Sequence, residues 1–281
     1  MMSVDPVAAV PEDTATGEIA EIYRDIRGTL GVDVVNLVWR HLATIDGALA
    51  WAWQAVRPAY VSGAVSNEAD RMKAGLEPPP LLKIPPDVLS AAGVRADDIA
   101  TIRTVLASYD RSNAMNFLAL TALVQDAGNP VARRNGSDAA AVAGAVDRVG
   151  QMPSLPPIDG MAPQLRDLLV RLNALGETDD AWIMVSMYRH LSHWPGCLAV
   201  IWSMLAPLAD DGRLQGAVRS VETLAVAHSA NLAAAFAPPQ RHESGQQALS
   251  SFLERVRLPK MIVITRLLLD ATAELDQAKH V

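Results

Sequence analysis

The chain has 281 residues, half of them hydrophobic and a fifth charged, with a formal net charge of -7. That composition supplies a core, is too weakly charged for a disordered chain, and would repel a phosphate backbone, so nucleic acid is excluded as a partner. A single cysteine, Cys197, rules out an intramolecular disulfide and a thiolate metal cluster within one chain.

The first 21 residues carry Asp5, Glu12, Asp13 and Glu18 without a basic or apolar leader region. This predicts no signal peptide, and a cytoplasmic location is expected. The longest apolar runs, such as 261–269, fall short of the roughly 20 residues that cross a bilayer, so no membrane partner is expected.

Apolar residues then recur every three or four positions, as in Ile19, Ile22, Tyr23, Ile26 and Leu165, Leu168, Leu169, Leu172. The spacing predicts buried stripes on helices. Helices are expected over 17–30, 33–44, 46–61, 66–75, 96–109, 113–127, 138–149, 163–175, 179–192, 195–207, 212–234, 245–256 and 258–277. Gly31, Gly47, Gly128 and Gly176 mark helix ends, and Asp46 and Asp179 stand where N-caps belong. No alternating strand pattern is present.

Proline cannot continue a helix without losing a hydrogen bond, and two proline-rich stretches interrupt the chain, 77–86 and 152–163. The second divides similar orders of elements. Residues 39–58 and 188–207 match without gaps at an offset of 149, with Arg40/Arg189, His41/His190, Leu42/Leu191, Gly47/Gly196, Leu49/Leu198, Ala50/Ala199, Trp53/Trp202 and Pro58/Pro207 identical, 8 of 20 positions. Shared Trp, His, Arg and Pro in one register point to duplication. The expected fold is all-α, a pseudo-dimer of two helical repeats, 1–150 and 164–281, joined by a linker at 151–163. A small-molecule site is expected between them, and a homodimer is compatible with the composition.

Chemistry-bearing motifs are few. The GxGxxG, GxxxxGK[ST] and GxSxG patterns are absent. His190 and His193 share a helix spacing but lack an accompanying carboxylate, so no metal and no cofactor are expected. Arg40, His41, Arg189 and His190, present in both halves, read as scaffold, and Cys197 as an inert core thiol. The segment 109–123 (YDRSNAMNFLALTAL) gathers Asp110, Arg111, Ser112, Asn113 and Asn116 before an apolar run. Asp110 and Asn113, three apart, would share a face of a continuous helix and could hold a water; alternatively, Asp110 or Ser112 caps the helix.

The stretches EIYRDIRGTLGV, VWRHLATIDGALAWAW, YDRSNAMNFLALTAL and LSHWPGCLAVIWSMLAP, in that order and spacing, resemble the group I 2-haloacid dehalogenases, which act on both D- and L-2-haloacids. The resemblance runs from about Gly17 to Leu269. It implies an all-helical pseudo-dimer in which an Asp activates a water that attacks C2 with inversion, an Asn holds that water, and no ester forms. On this resemblance the asparagine is Asn113, Ser186 is a matching pocket residue, and Ser62, Ser66 and Val34 stand where the family has Thr, Glu and an aromatic residue. Met187 stands at the place of the catalytic aspartate, and a thioether takes no proton from water. Asp110 is then the substitute base paired with Asn113, with Asp179 or Asp180 behind it. A second expectation is a cavity for an apolar or weakly polar molecule flanked by Trp182, Met184, Met187 and Trp194.

Overall fold

A computed structural model describes residues 7–128, 148–177, 184–232, 235–236, 242–255 and 258–275. Among them there are twelve α-helices and no strand. The expected all-α class is correct, and no described helix is long and apolar enough to cross a membrane.

The first half runs α1 (Gly17–Leu30), α2 (Leu37–Leu42), α3 (Ala48–Val61), α4 (Ala64–Ala74), α5 (Pro86–Ala91) and α6 (Ala96–Gly128). The second runs α7 (Pro163–Ala174), α8 (Ser186–Leu191), α9 (Pro195–Asp210), α10 (Arg213–Ala230), α11 (Glu243–Arg255) and α12 (Leu258–Ala271). On α1, Tyr23, Ile26 and Leu30 form the buried stripe, and Gly31 in the left-handed conformation closes the helix by donating to the Arg27 carbonyl.

The offset of 149 seen in the residues recurs in the helix boundaries. Leu37 and Leu42, the ends of α2, map onto Ser186 and Leu191, the ends of α8; α3 and α9 stop at equivalent residues, and α4 and α10 start at equivalent ones. Gly63 and Gly212, with φ of 79° and 80°, turn the chain into α4 and α10. Pro58 and Pro207 lie inside α3 and α9. The matching glycines at 47 and 196 answer different demands. Gly47 has φ of 69°. At Gly196 a Cβ would stand 1.7 Å from the Ala92 carbonyl oxygen, so its hydrogen lets α9 approach the end of α5.

Three expectations need correction. The segment 96–128 is one helix rather than two, about 50 Å long at 1.5 Å per residue, and Asp110 and Ser112 therefore cap nothing. A break was expected because Asp, Ser and Asn in helix interiors compete with the backbone for hydrogen bonds. Here Asp110, Asn113 and Asn116 engage side chains on other elements instead. Asp46 is not the N-cap of α3, since the left-handed Gly47 occupies that place. The proline-rich stretch at 77–86 ends in α5, which begins at Pro86 because proline suits a first helical turn. Asp179, most of the helix expected over 138–149 and the start of that expected over 179–192 lie outside the described residues.

α6 is the central element. It packs on α12 most extensively, and also on α3, α4, α8, α10 and α11, so residues at its middle meet both halves of the chain. Each proline-rich stretch is held by polar contacts: Ile84 N–H donates to the Ala271 carbonyl, and Arg189 donates twice to the Pro156 carbonyl.

Candidate functional site

Where α2, α6, α8, α11 and α12 converge, they leave a cavity of about 40 Å³. Its wall is built from equivalent places in the two halves. Asn36, Leu37 and Val38 enter from the start of α2, and Val185 and Ser186 from the start of α8; Tyr109 and Asn113 come from α6, Leu258 and Met261 from α12, and Phe252 from α11. At the spacing of 149, Asn36 answers Val185, Leu37 answers Ser186 and Tyr109 answers Leu258. The cavity thus draws on residues from both halves of the chain, polar on Asn36, Asn113, Tyr109 and Ser186 and apolar elsewhere.

The polar groups are locked by partners on other elements. Asn36 donates its Nδ2–H to Oδ1 of Asn113, 3.0 Å away, in a buried contact. Arg40 is 6% exposed; its Nε donates to the Val35 carbonyl and its Nη2 to Oγ of Ser186, each at 3.0 Å. No carboxylate of the described residues forms an ion pair with Arg40. Glu12 is committed to Arg27 and to the Val35 N–H. The guanidinium therefore stands behind Ser186 as a buried positive charge at the cavity wall.

Beside Ser186, Tyr109 Oη lies 2.8 Å from Nδ1 of His190. Burial pushes the Tyr109 phenol well above its usual range. Burial, opposed by a contact with the Ser186 backbone and reinforced by the charges of Arg189, His193 and Arg40, pushes the His190 imidazole down to about 4. At neutral pH the imidazole is uncharged, and the direction of its hydrogen bond with the phenol follows the tautomer it adopts. His193 turns elsewhere, to the Ser154 carbonyl. Farther along α6, Asn116 accepts from Trp39 Nε1 and from the Tyr60 hydroxyl, fixing α2 and α3 to the central helix.

No family model matches the chain. By sequence it is 29% identical over 223 residues to a configuration-inverting 2-haloacid dehalogenase of Alcaligenes xylosoxydans xylosoxydans, spanning 75% of this chain and 72% of that one. It is 24% identical over 228 residues to an (R)-2-haloacid dehalogenase of Pseudomonas putida, spanning 79% and 75%. A D-2-haloacid dehalogenase structure in complex with L-LA superposes with a TM-score of 0.76 at 19% identity, covering 95% of this chain and 97% of the other. A mutant of such an enzyme with D-2-CPA gives 0.71, covering 94% of both. The chain's homologues are 2-haloacid dehalogenases. It has their helical fold.

Against the dehalogenase resemblance, the expected residues separate into three groups. Asn113 and Ser186 line the cavity. Met187 is fully buried in the core and does not line it, while Val38, its counterpart in the first repeat, does. Val34 is likewise a core residue away from the lining. Ser62 and Ser66 spend their hydroxyls on the carbonyls of Ala59 and Gly63 in their own turns.

Asp110 does not join Asn113 at the cavity. Its Oδ2 is 3.2 Å from Lys73 Nζ and 3.7 Å from Arg266 Nη1, which ties α6 to α4 and α12. Met184 meets the Asn173 amide through its sulfur, and Trp194 stacks edge-on against His193, so neither lines the cavity. Asp179, Asp180 and Trp182 lie outside the described residues. The scaffold reading of the repeated pairs fits His41, which contacts the Ala8 carbonyl, and Arg189. Arg40 and His190 instead bond the cavity-lining residues Ser186 and Tyr109.

Sequence reasoning missed Asn36, Tyr109, Phe252, Leu258 and Met261. The only sequence signal for Asn36 was its place directly before the repeated helix. Tyr109 was the first residue of the polar cluster on α6.

Proposed function

We propose that the cavity binds a short carboxylic acid of the 2-haloacid class, held in a dehalogenase fold, and that the chain lacks the base for hydrolysing the carbon–halogen bond by the route the resemblance implies. In that route a water oxygen attacks C2, the carbon–halogen bond leaves with its electron pair as halide, and a carboxylate takes the water's proton. The observation that carries the proposal is the composition of the cavity wall: two amides, a phenol and a hydroxyl, with no carboxylate. None of these takes a proton from water at neutral pH.

Binding of an acid has its own support. The buried Arg40 charge behind Ser186 favours an anion, because a buried charge without a counterion is costly. A cavity of about 40 Å³ holds a molecule of a few heavy atoms, since about 10–15 Å³ on this measure already admits a water.

The test is halide release from D- and L-2-chloropropionate at high protein concentration, with thermal shift on the same samples. Stabilisation without halide above the blank is expected. Halide release that is lost in Asp110→Asn would overturn the proposal and make Asp110 the base. Stabilisation only by bulky apolar compounds would favour the second reading.

A further inference from the structure

Two ionisable groups stand behind the cavity wall, each one hydrogen bond from a lining residue. Arg40 bonds Ser186, and Nδ1 of His190 lies 2.8 Å from Tyr109 Oη; Ser186 and Tyr109 both line the cavity. The Arg40 charge is fixed, whereas that of His190 can change. His190 is 3% exposed. Burial holds it neutral, and the charges bearing on it, Arg189 and His193 from its own segment and Arg40 from α2, are all positive. The elements packed on α8 are α6, α9 and α7. From α6 the group in contact is Tyr109, while Asp110 turns to Lys73 and Arg266. On α9, Cys197 is a buried thiol pushed up to about 12 and Asp210 is exposed. On α7, Asp167 and Arg171 are exposed and Arg166 donates to the Met161 carbonyl. No carboxylate of the described residues forms an ion pair with His190.

A carboxylate in the cavity changes that balance. An opposite charge within about 6 Å favours the ionised form of a group by roughly tenfold to a thousandfold, and only the Tyr109 side chain separates the cavity from the imidazole. Protonation also has a defined outcome for the wall. An imidazolium carries a hydrogen on both ring nitrogens, so Nδ1 then donates to the phenol oxygen whichever tautomer preceded it, and the phenol hydrogen is released from Nδ1. We infer, on the reading of the cavity as an acid site, that a 2-haloacid anion binds together with one proton, which passes from solvent to the His190 imidazole and gives the anion a second counter-charge beside Arg40. By linkage the acid binds more tightly as pH falls.

Isothermal titration of the whole chain with D- and L-2-chloropropionate, at pH 7 and pH 5 and in buffers of low and high ionisation enthalpy, tests this. The acid itself is ionised at both pH values. At least one enantiomer is expected to bind about tenfold more tightly at pH 5 than at pH 7, with buffer-dependent heats at pH 5 that report uptake of most of one proton per acid. In His190→Gln the pH effect should fall below twofold and the uptake should vanish, while binding at pH 7 persists. His193→Gln, whose ring turns away to the Ser154 carbonyl, should keep both, with circular dichroism at pH 5 confirming each fold. Binding by the unaltered chain without proton uptake overturns the inference and leaves the acid site standing, whether or not the glutamine variants fold. So does uptake that survives His190→Gln. If neither enantiomer binds at either pH, the acid reading itself falls.

Discussion

Nη2 of Arg40 reaches from α2 to Oγ of Ser186 at the start of α8, 3.0 Å away and 146 positions along the chain. This contact joins the two equivalent helices at the cavity and presents a hydroxyl, backed by a cation, to whatever occupies it.

Removing the acceptor should therefore be felt in both stability and binding. Ser186→Ala leaves a charged N–H buried without a partner, and urea unfolding should show a loss of about 1–3 kcal/mol. Ser203→Ala, on an exposed turn of α9, should stay within about 0.5 kcal/mol. Equal effects at the two serines would contradict the role given to Arg40.

The His190 imidazole titrates near 4 in the folded chain and near 6.5 when unfolded. Below about pH 6.5 the unfolded chain takes up the proton first, so this group's contribution is present at neutral pH and is lost as pH falls from 6.5 toward 4. The full effect is about 3 kcal/mol. Melting curves across that window should fall less steeply for His190→Gln than for the unaltered chain. Identical slopes would show that His190 is not buried in its neutral form.

Met187 is fully buried among apolar side chains. Restoring a carboxylate there by Met187→Asp should destabilise the fold by several kcal/mol, whereas Met187→Leu should cost less than about 1.5 kcal/mol. Neither variant should release halide from 2-chloropropionate. Halide production by the aspartate variant would show that residue 187 reaches the cavity.

A Cβ on Gly196 would overlap the Ala92 carbonyl. Gly196→Ala should lose about 1–3 kcal/mol through the forced shift of α9 against α5. At Gly216, inside α10, a Cβ would meet only the end of Arg219 at 4.0 Å, and Gly216→Ala should gain about 0.5–1 kcal/mol. Calorimetric melting of the pair distinguishes them by sign.

The fold was legible because helix periodicity and the gapless match between 39–58 and 188–207 are local or repeated signals. They located α2, α3, α8 and α9 and the junction where the cavity lies. The site was legible at Asn113, from the polar cluster on 109–123 as well as from the resemblance, and at Ser186, from the resemblance alone. Asn36 and Tyr109 meet their partners 77 and 81 positions away, and no window of sequence contains both ends of such a contact. Asp110 misled for a related reason. A carboxylate one turn from an amide suggests a shared water, but its direction around the helix was set by Lys73 and Arg266 on distant elements. The polar cluster also imitated a helix start, because each of its residues favours caps when judged alone.

The pairing of Asn36 with Val185 and of Leu37 with Ser186 across the cavity has one more consequence. Had both walls kept the same side chains, a guest turned end for end would have met the same contacts and could have sat either way round. Here an amide stands at the place equivalent to an isopropyl group, and an isobutyl group at the place equivalent to a hydroxyl. Divergence between the halves has made the equivalent places in the wall unlike, so a guest turned end for end meets different contacts.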